Sequence, residues 1–331
     1  MSAGRFRLAV AVIAVQLLQG VTEVPGAPAM PPSIDELFQH LGYSETDKQR
    51  ILDGQIISAD VERSRDDQLL AVVALPNKTS ISELAATLQN GSNIPLNAAT
   101  LDWGEVTTGT KEDFARVVYN DAEKEEVDKL LRVKADDSFN FSTSEITSIR
   151  EVAKDLKVGD PNTIELVNAA YRETLFERYL AYKGRGLDGM KPYDHGGAPL
   201  SPAKQLRTVE AQSRGFLATY FPGLRQAVEE FPLGRAPDIV SKIYWVKRVV
   251  EGRPAFILIH QVIQVGEDFV LSIQRQFYVG HTYESLQVID LALPAGDRVL
   301  VFSVNRVFTE QIAGFFSGVA RLVGQSRTKG T

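Results

Sequence analysis

IVSKIYWVKRVVEGRPAFILIHQVIQVGEDFVLSIQRQFYV, residues 239–279, is the stretch that decides the fold. Its apolar runs are rich in Val, Ile, Phe and Tyr, and the breaks between them, Glu251-Gly252 and Gly266-Glu267-Asp268, are short and carry glycine. Such connectors between β-prone runs predict antiparallel neighbours. Continued to Ala295-Gly296-Asp297 and beyond, the pattern predicts strands over 240–250, 255–265, 269–278, 282–293 and 299–305. Ala255 to Ile259 is apolar at every position, which predicts cover on both faces of the sheet. Thr309 then reads as the cap of a helix whose Ile312, Phe315, Phe316, Val319, Leu322 and Val323 fall within one arc. Gly314 and Gly318 lie beside that arc. Each costs a helix about 1 kcal/mol relative to alanine, so a packing reason is expected.

Toward the N-terminus, Ile34, Leu37, Phe38 and Leu41 recur at helical spacing until Gly42. Runs over 55–63 and 69–75, separated by Ser64-Arg65-Asp66-Asp67, read as a hairpin that Pro76 ends. Ser80 caps a helix presenting Ile81, Leu84, Ala85 and Leu88 on one side. From about Lys111 to Phe231 the period changes from two to 3.6, with acidic stretches such as 123–128 that read as solvated helix faces. The clearest helix there starts at Asp160-Pro161 and ends at Lys183-Gly184. Its stripe, Ile164, Val167, Tyr171, Leu175, Tyr179 and Tyr182, has the character of core. A loop over 184–202, too long for a simple connection, precedes helices at about 203–220 and 222–230.

Composition narrows the classes. The chain has 331 residues and 44% hydrophobic content, enough to bury a large core. Arg5 and Arg7 precede the uncharged run 8–18, and Ala27-Pro28-Ala29 offers small residues for cleavage. This pattern predicts a signal peptide over 1–29 and a periplasmic or secreted mature chain, since the run is short of the roughly 20 residues a spanning helix needs. The absence of cysteine excludes a thiol nucleophile, a thiolate metal site and a disulfide framework. The net charge is −6, and without Arg5, Arg7 and Glu23 it becomes −7, which speaks against nucleic acid as a partner.

The order helix, two strands, helix, insertion, meander and closing helix resembles the helix-grip fold of the START-like superfamily. The segment Tyr278-Val-Gly-His281-Thr-Tyr283-Glu-Ser285, followed by Val304-Asn-Arg306 and the glycines at 314 and 318, also looks like a family of uncharacterised exported bacterial proteins. The resemblance implies an α+β fold: an antiparallel curved sheet gripping a C-terminal helix, with a large helical insertion. The domain would comprise an N-terminal part (30–110), the insertion (111–238) and the meander with its closing helix (239–331). It also implies a cavity between sheet and helix occupied by a lipid or another apolar molecule.

Established catalytic patterns are missing. Gly184-Arg-Gly186-Leu-Asp-Gly189 spells a dinucleotide fingerprint, but it follows a helix and runs into Pro192, without the strand-to-helix setting that holds a phosphate. There is no nucleophile elbow, zinc-protease motif or phosphate loop. Four histidines, at 40, 195, 260 and 281, are too scattered to spell a metal site, so neither metal nor cofactor is expected. The best polar constellation is Tyr278, His281, Tyr283 and Arg306, with His260 as a neighbour, Trp245 as core or wall, and Phe315 and Val319 as the greasy cover. In an apolar cavity such groups orient a ligand head group, and Arg306 suits a carboxylate or phosphate. Strand alternation puts His281 and Tyr283 on one face and Tyr278 on the other, unless a bulge at Gly280 intervenes. The competing reading is a satisfied core, with His281 bonded to a tyrosine and Arg306 paired with a glutamate near the last helix.

The expected function is a periplasmic binding or carrier protein for a hydrophobic, lipid-like small molecule. Two alternatives stand beside it. One is an envelope enzyme with His281 and Tyr283 as acid and base; the other is a non-catalytic scaffold that docks a protein partner through the insertion.

Overall fold

The computed structural model describes residues 29–309 apart from 60–62, 66–67, 137, 155, 157–161 and 235–237. In chain order the elements are α1 (Ile34–His40), α2 (Glu45–Leu52), β1 (Ile57–Ala59), β2 (Arg63–Arg65), β3 (Gln68–Asn77), α3 (Ile81–Gln89) and β4 (Thr100–Glu105). Then follow α4 (Lys124–Leu131), α5 (Thr143–Ala153), α6 (Thr163–Arg185), α7 (Pro202–Tyr220) and α8 (Pro222–Glu229). The chain closes with β5 (Ile239–Val250), β6 (Arg253–Val265), β7 (Val270–Val279), β8 (Ser285–Ala295) and β9 (Arg298–Phe308). The fold is α+β with one antiparallel sheet in the order β1-β3-β9-β8-β7-β6-β5-β4, and β2 also pairs with β3. The five-strand meander sits at its centre, and β3 joins along β9.

Local chemistry accounts for the helix starts. Ser33 and Ser80 each accept from a backbone N–H three residues on, while Glu36 and Glu83 reach back to the cap. One strand was not evident in the sequence: β4, whose Thr-Leu-Asp-Trp-Gly-Glu has little β character. It forms by pairing with β5, and Gly104 lies so close to the Trp245 indole that any Cβ would meet ring atoms at 2.6 Å. The fourth meander strand begins at Ser285 rather than Thr282, because Thr282 adopts φ +77° and breaks the extended chain.

The sheet is buried on both sides, and its strand alternation sorts the core into four clusters, two per face. On the insertion face, Trp245, Phe256, Leu258, Phe277 and Tyr278 pack against Phe114, Phe141, Tyr171, Leu175 and Tyr182. Farther along the same face, Leu271, Ile273, Ile289, Leu291 and Phe302 meet Leu37 and Phe38 of α1, Leu217 of α7 and Leu224 of α8. On the α3 face, Tyr244, Val246, Ile257, Ile259, Val279, Tyr283 and Val307 form one cluster with Ile94. Ile263, Val270, Ala292 and Val299 form the other with Ala85 of α3. Ala255 to Ile259 are all fully buried, as double cover requires. The expected stripe of α6 is core, with Val167, Tyr171, Leu175, Tyr179 and Tyr182 buried and Ile164 packed at its edge.

The glycines of the fingerprint-like 184–189 serve backbone packing. A Cβ on Gly186, at φ +57°, would meet the Phe231 carbonyl, and one on Gly189 would meet the Ala181 carbonyl. Residues 1–28, the Asp160-Pro161 helix start and residues 310–331, which include Phe315 and Val319, lie outside the described residues.

Candidate functional site: a polar floor on the α3 face

Between the two apolar clusters of the α3 face lies a band of a different character. Cross-strand register aligns Ile263, Ser272, Asp290 and Ser303 in one row and Gln261, Gln274, Val288 and Asn305 in the next. The following row begins Ile259, Gln276, Leu286 and Val307. Thus Gln261, Ser272, Gln274, Gln276, Asp290, Ser303 and Asn305 form one continuous polar floor across four adjacent strands. Gln261 and Ser272 are fully buried at 0% exposure, whereas Gln274, Val288, Asp290, Ser303 and Asn305 are only half-buried although they sit mid-sheet.

The floor is internally bonded but not saturated. Gln261 Nε2 donates to Ser272 Oγ at 3.2 Å, and Asn305 Nδ2 donates to Ser303 Oγ at 3.1 Å. The Tyr283 hydroxyl donates to Gln276 Oε1 at 2.5 Å, closing one end. Gln261 Oε1 is buried and has no hydrogen-bond partner among the described residues. Burial raises the Asp290 pKa to about 6, against a smaller lowering by its hydrogen bond to Ser303. Near Tyr283, Arg248 donates from Nε to Thr100 Oγ1 at 3.2 Å, and burial lowers its pKa. Polar groups held in an apolar face without full pairing cost free energy, which a molecule supplying the missing partners recovers.

The residues singled out from the sequence scatter over three places. Only Tyr283 reaches the floor. Trp245, His260 and Tyr278 lie on the insertion face. Trp245 donates its indole N–H to the Asp113 carbonyl at 2.8 Å. His260 bonds Tyr182 and Ser241, each at 2.8 Å, and burial takes its pKa well down. The Tyr278 hydroxyl pairs with that of Tyr171 at 3.0 Å, and the Arg178 guanidinium sits 4.5 Å over its ring. A bulge does occur, but ahead of Gly280: Tyr278 pairs with Leu258 and Gln276 with Ile259, which leaves Phe277 as the extra residue.

His281 faces Phe139, not the floor. Its Nδ1 bonds Thr282 Oγ1 at 2.6 Å and its Nε2 bonds the Pro254 carbonyl at 3.2 Å. Burial, with Arg253 second, lowers its pKa to about 4. His281 and Tyr283 therefore belong to different clusters and form no acid–base pair; the break at Thr282 separates them. Arg306 is on the insertion face, across from Gln287, and lines a cleft between α1 and α7.

What sequence reading missed was the floor itself. Ser272, Gln274 and Gln276 alternate with Leu271, Ile273 and Arg275, a period-two polar row inside a buried strand. The signal was present but reads like an ordinary solvated strand face until the flanking clusters are seen to cover it. Among the described residues no group of three or more His, Asp or Glu side chains is placed to hold a metal, and no helix is long and apolar enough to cross a membrane. The chain matches no family model, no curated protein and no solved structure.

Proposed function

We propose that the chain is an exported binding or carrier protein that holds a hydrophobic small molecule against the α3 face of the sheet, beneath its C-terminal segment. The observation that carries this reading is the half-open polar floor, Ser272, Gln274, Asp290, Ser303 and Asn305, set between two closed apolar clusters. Ligand sites combine apolar walls with a few convergent polar groups, and this is such a combination. The chain leaves β9 at Phe308, and Thr309 donates its hydroxyl to the Thr282 carbonyl at 3.1 Å, beyond the Tyr283 end of the floor. The apolar arc Ile312 to Val323 lies outside the described residues; its composition is of the kind that the resemblance to helix-grip proteins implies for an apolar cover.

The floor also selects the head group. Asp290 and the free carbonyl oxygen of Gln261 are acceptors, so a hydroxyl or amide on an otherwise apolar molecule suits them better than an acid. The test is solvent extraction of protein purified under native conditions from its own cells, followed by mass spectrometry. A stoichiometric apolar molecule with a hydrogen-bond donor is expected. Protein that carries none, and that takes up no long-chain alcohol offered to it, would refute the reading.

A further inference from the structure

On the opposite face of the sheet, one cross-strand row reads His260, Arg275, Gln287, Arg306. Arg275 is saturated: it ion-pairs with Glu210 of α7 and donates to the Val228 carbonyl at 2.8 Å and to Gln287 Oε1 at 3.1 Å. Arg178 and Arg253 are likewise paired, with Glu145 and Glu126. Arg306 has no carboxylate partner among the described residues, although it is half-buried and burial lowers its pKa. Two guanidiniums thus share a row with one carboxylate between them. Arg306 closes a largely apolar cleft of about 80 Å³, walled by Leu37 of α1 and Leu41 just after it, Phe216 of α7, and Phe302 and Val304 of β9, with Gln212 and Ser213 of α7 as the uncharged polar part of its lining. His40, also in its wall, lies tilted with its ring centre 5.2 Å from that of Phe216. Burial first, and Arg306 second, keep the His40 pKa low, so that it adds no second cation.

We infer that this α1–α7 cleft is a second binding site, for the carboxylate end of a small aliphatic acid, with Arg306 as its anchor. The cavity is about half the size of an apolar cavity that takes benzene, room for the carboxylate and its first carbons, with the rest of the chain along the cleft mouth. A guanidinium already partly desolvated binds a carboxylate with less further loss of water than an exposed one, and its fork matches the two oxygens. The inference does not depend on the floor of the α3 face: the two sites lie on opposite sides of the sheet and favour opposite head groups.

The test is an amide-resolved NMR titration of the full chain with hexanoate and, separately, with its uncharged counterpart hexanamide. Hexanoate is expected to shift amides of α1 and α7 and to bind at least tenfold more tightly than hexanamide. Arg306→Gln is expected to erase that preference without lowering the melting temperature, because it removes a partly desolvated charge that has no carboxylate partner among the described residues; a structural arginine would cost stability. Asp290→Leu, on the other face, should leave hexanoate affinity unchanged. Equal affinity for the two probes, or shifts confined to α3 and the floor strands, would overturn the inference with the unaltered chain alone.

Discussion

His281 has both ring nitrogens engaged, to Thr282 and to the Pro254 carbonyl, and is held at a pKa of about 4. Its unfolded value is 6.5, so between those limits the unfolded chain binds more protons and stability is lost as pH falls from about 6.5 to about 4. At about 1.4 kcal/mol per pH unit the whole window is worth on the order of 3 kcal/mol. Asp290 works in the other direction. Its folded pKa of about 6 lies above the ordinary 3.8, so its contribution is present at low pH and is lost as pH rises through about 6. That contribution offsets part of the His281 loss. In melting curves collected from pH 4 to 7, Asp290→Asn is therefore expected to steepen the loss on acidification, and His281→Asn to flatten it. Identical profiles for both variants and the parent would contradict these placements. At this scale the sequence singled out Tyr278, His281 and Tyr283, but strand alternation put His281 and Tyr283 on one face, whereas Tyr283 packs on the α3 face and His281 against Phe139. Alternation predicts faces only where the chain stays extended, and the left-handed Thr282 and the bulge at Phe277 both reset it.

Among the elements, one of the ties between the insertion and the meander lies at the β7–β8 turn. Asn140, just ahead of α5, donates from Nδ2 to the Val279 and Tyr283 carbonyls at 2.9 and 2.8 Å, and its backbone N–H donates to the Gly280 carbonyl at 2.9 Å. These bonds hold the β7–β8 turn in the form that turns Tyr283 toward Gln276. Asn140→Ala leaves two buried carbonyls unpaired and is expected to cost about 2–3 kcal/mol in denaturant unfolding. It should also loosen the Tyr283 end of the floor, visible as faster amide exchange at the turn. A change below 0.5 kcal/mol, roughly that of an ordinary surface substitution, would mean that the clamp contributes nothing. The five meander strands, α3, α6, α7 and α8 were legible because their periods are long and their ends carry serine caps, prolines or glycines. By contrast β4 was not, because what makes it a strand is a neighbour, Trp245 laid over Gly104, rather than its own residues.

For the whole molecule, the insertion and the sheet share one core. Phe114, Phe139, Tyr171 and Leu175 pack in the same cluster as Trp245, Phe256 and Tyr278. Insertion and sheet are accordingly expected to unfold together, with tryptophan fluorescence and far-ultraviolet circular dichroism giving coincident transitions. Two separated transitions would show that 111–238 is an independent domain. An element order was readable from sequence; the location of the polar groups was not, since it depends on register across four strands. The most direct measurement of ligand binding at the floor is native mass spectrometry of the unaltered protein beside Ser303→Phe, which fills the floor, and Arg306→Gln, which lies on the other face. The unaltered chain and Arg306→Gln are expected to carry the same apolar molecule at one per chain, and Ser303→Phe to carry none. Retention of that molecule by Ser303→Phe, or its loss from Arg306→Gln alone, would contradict binding at the floor.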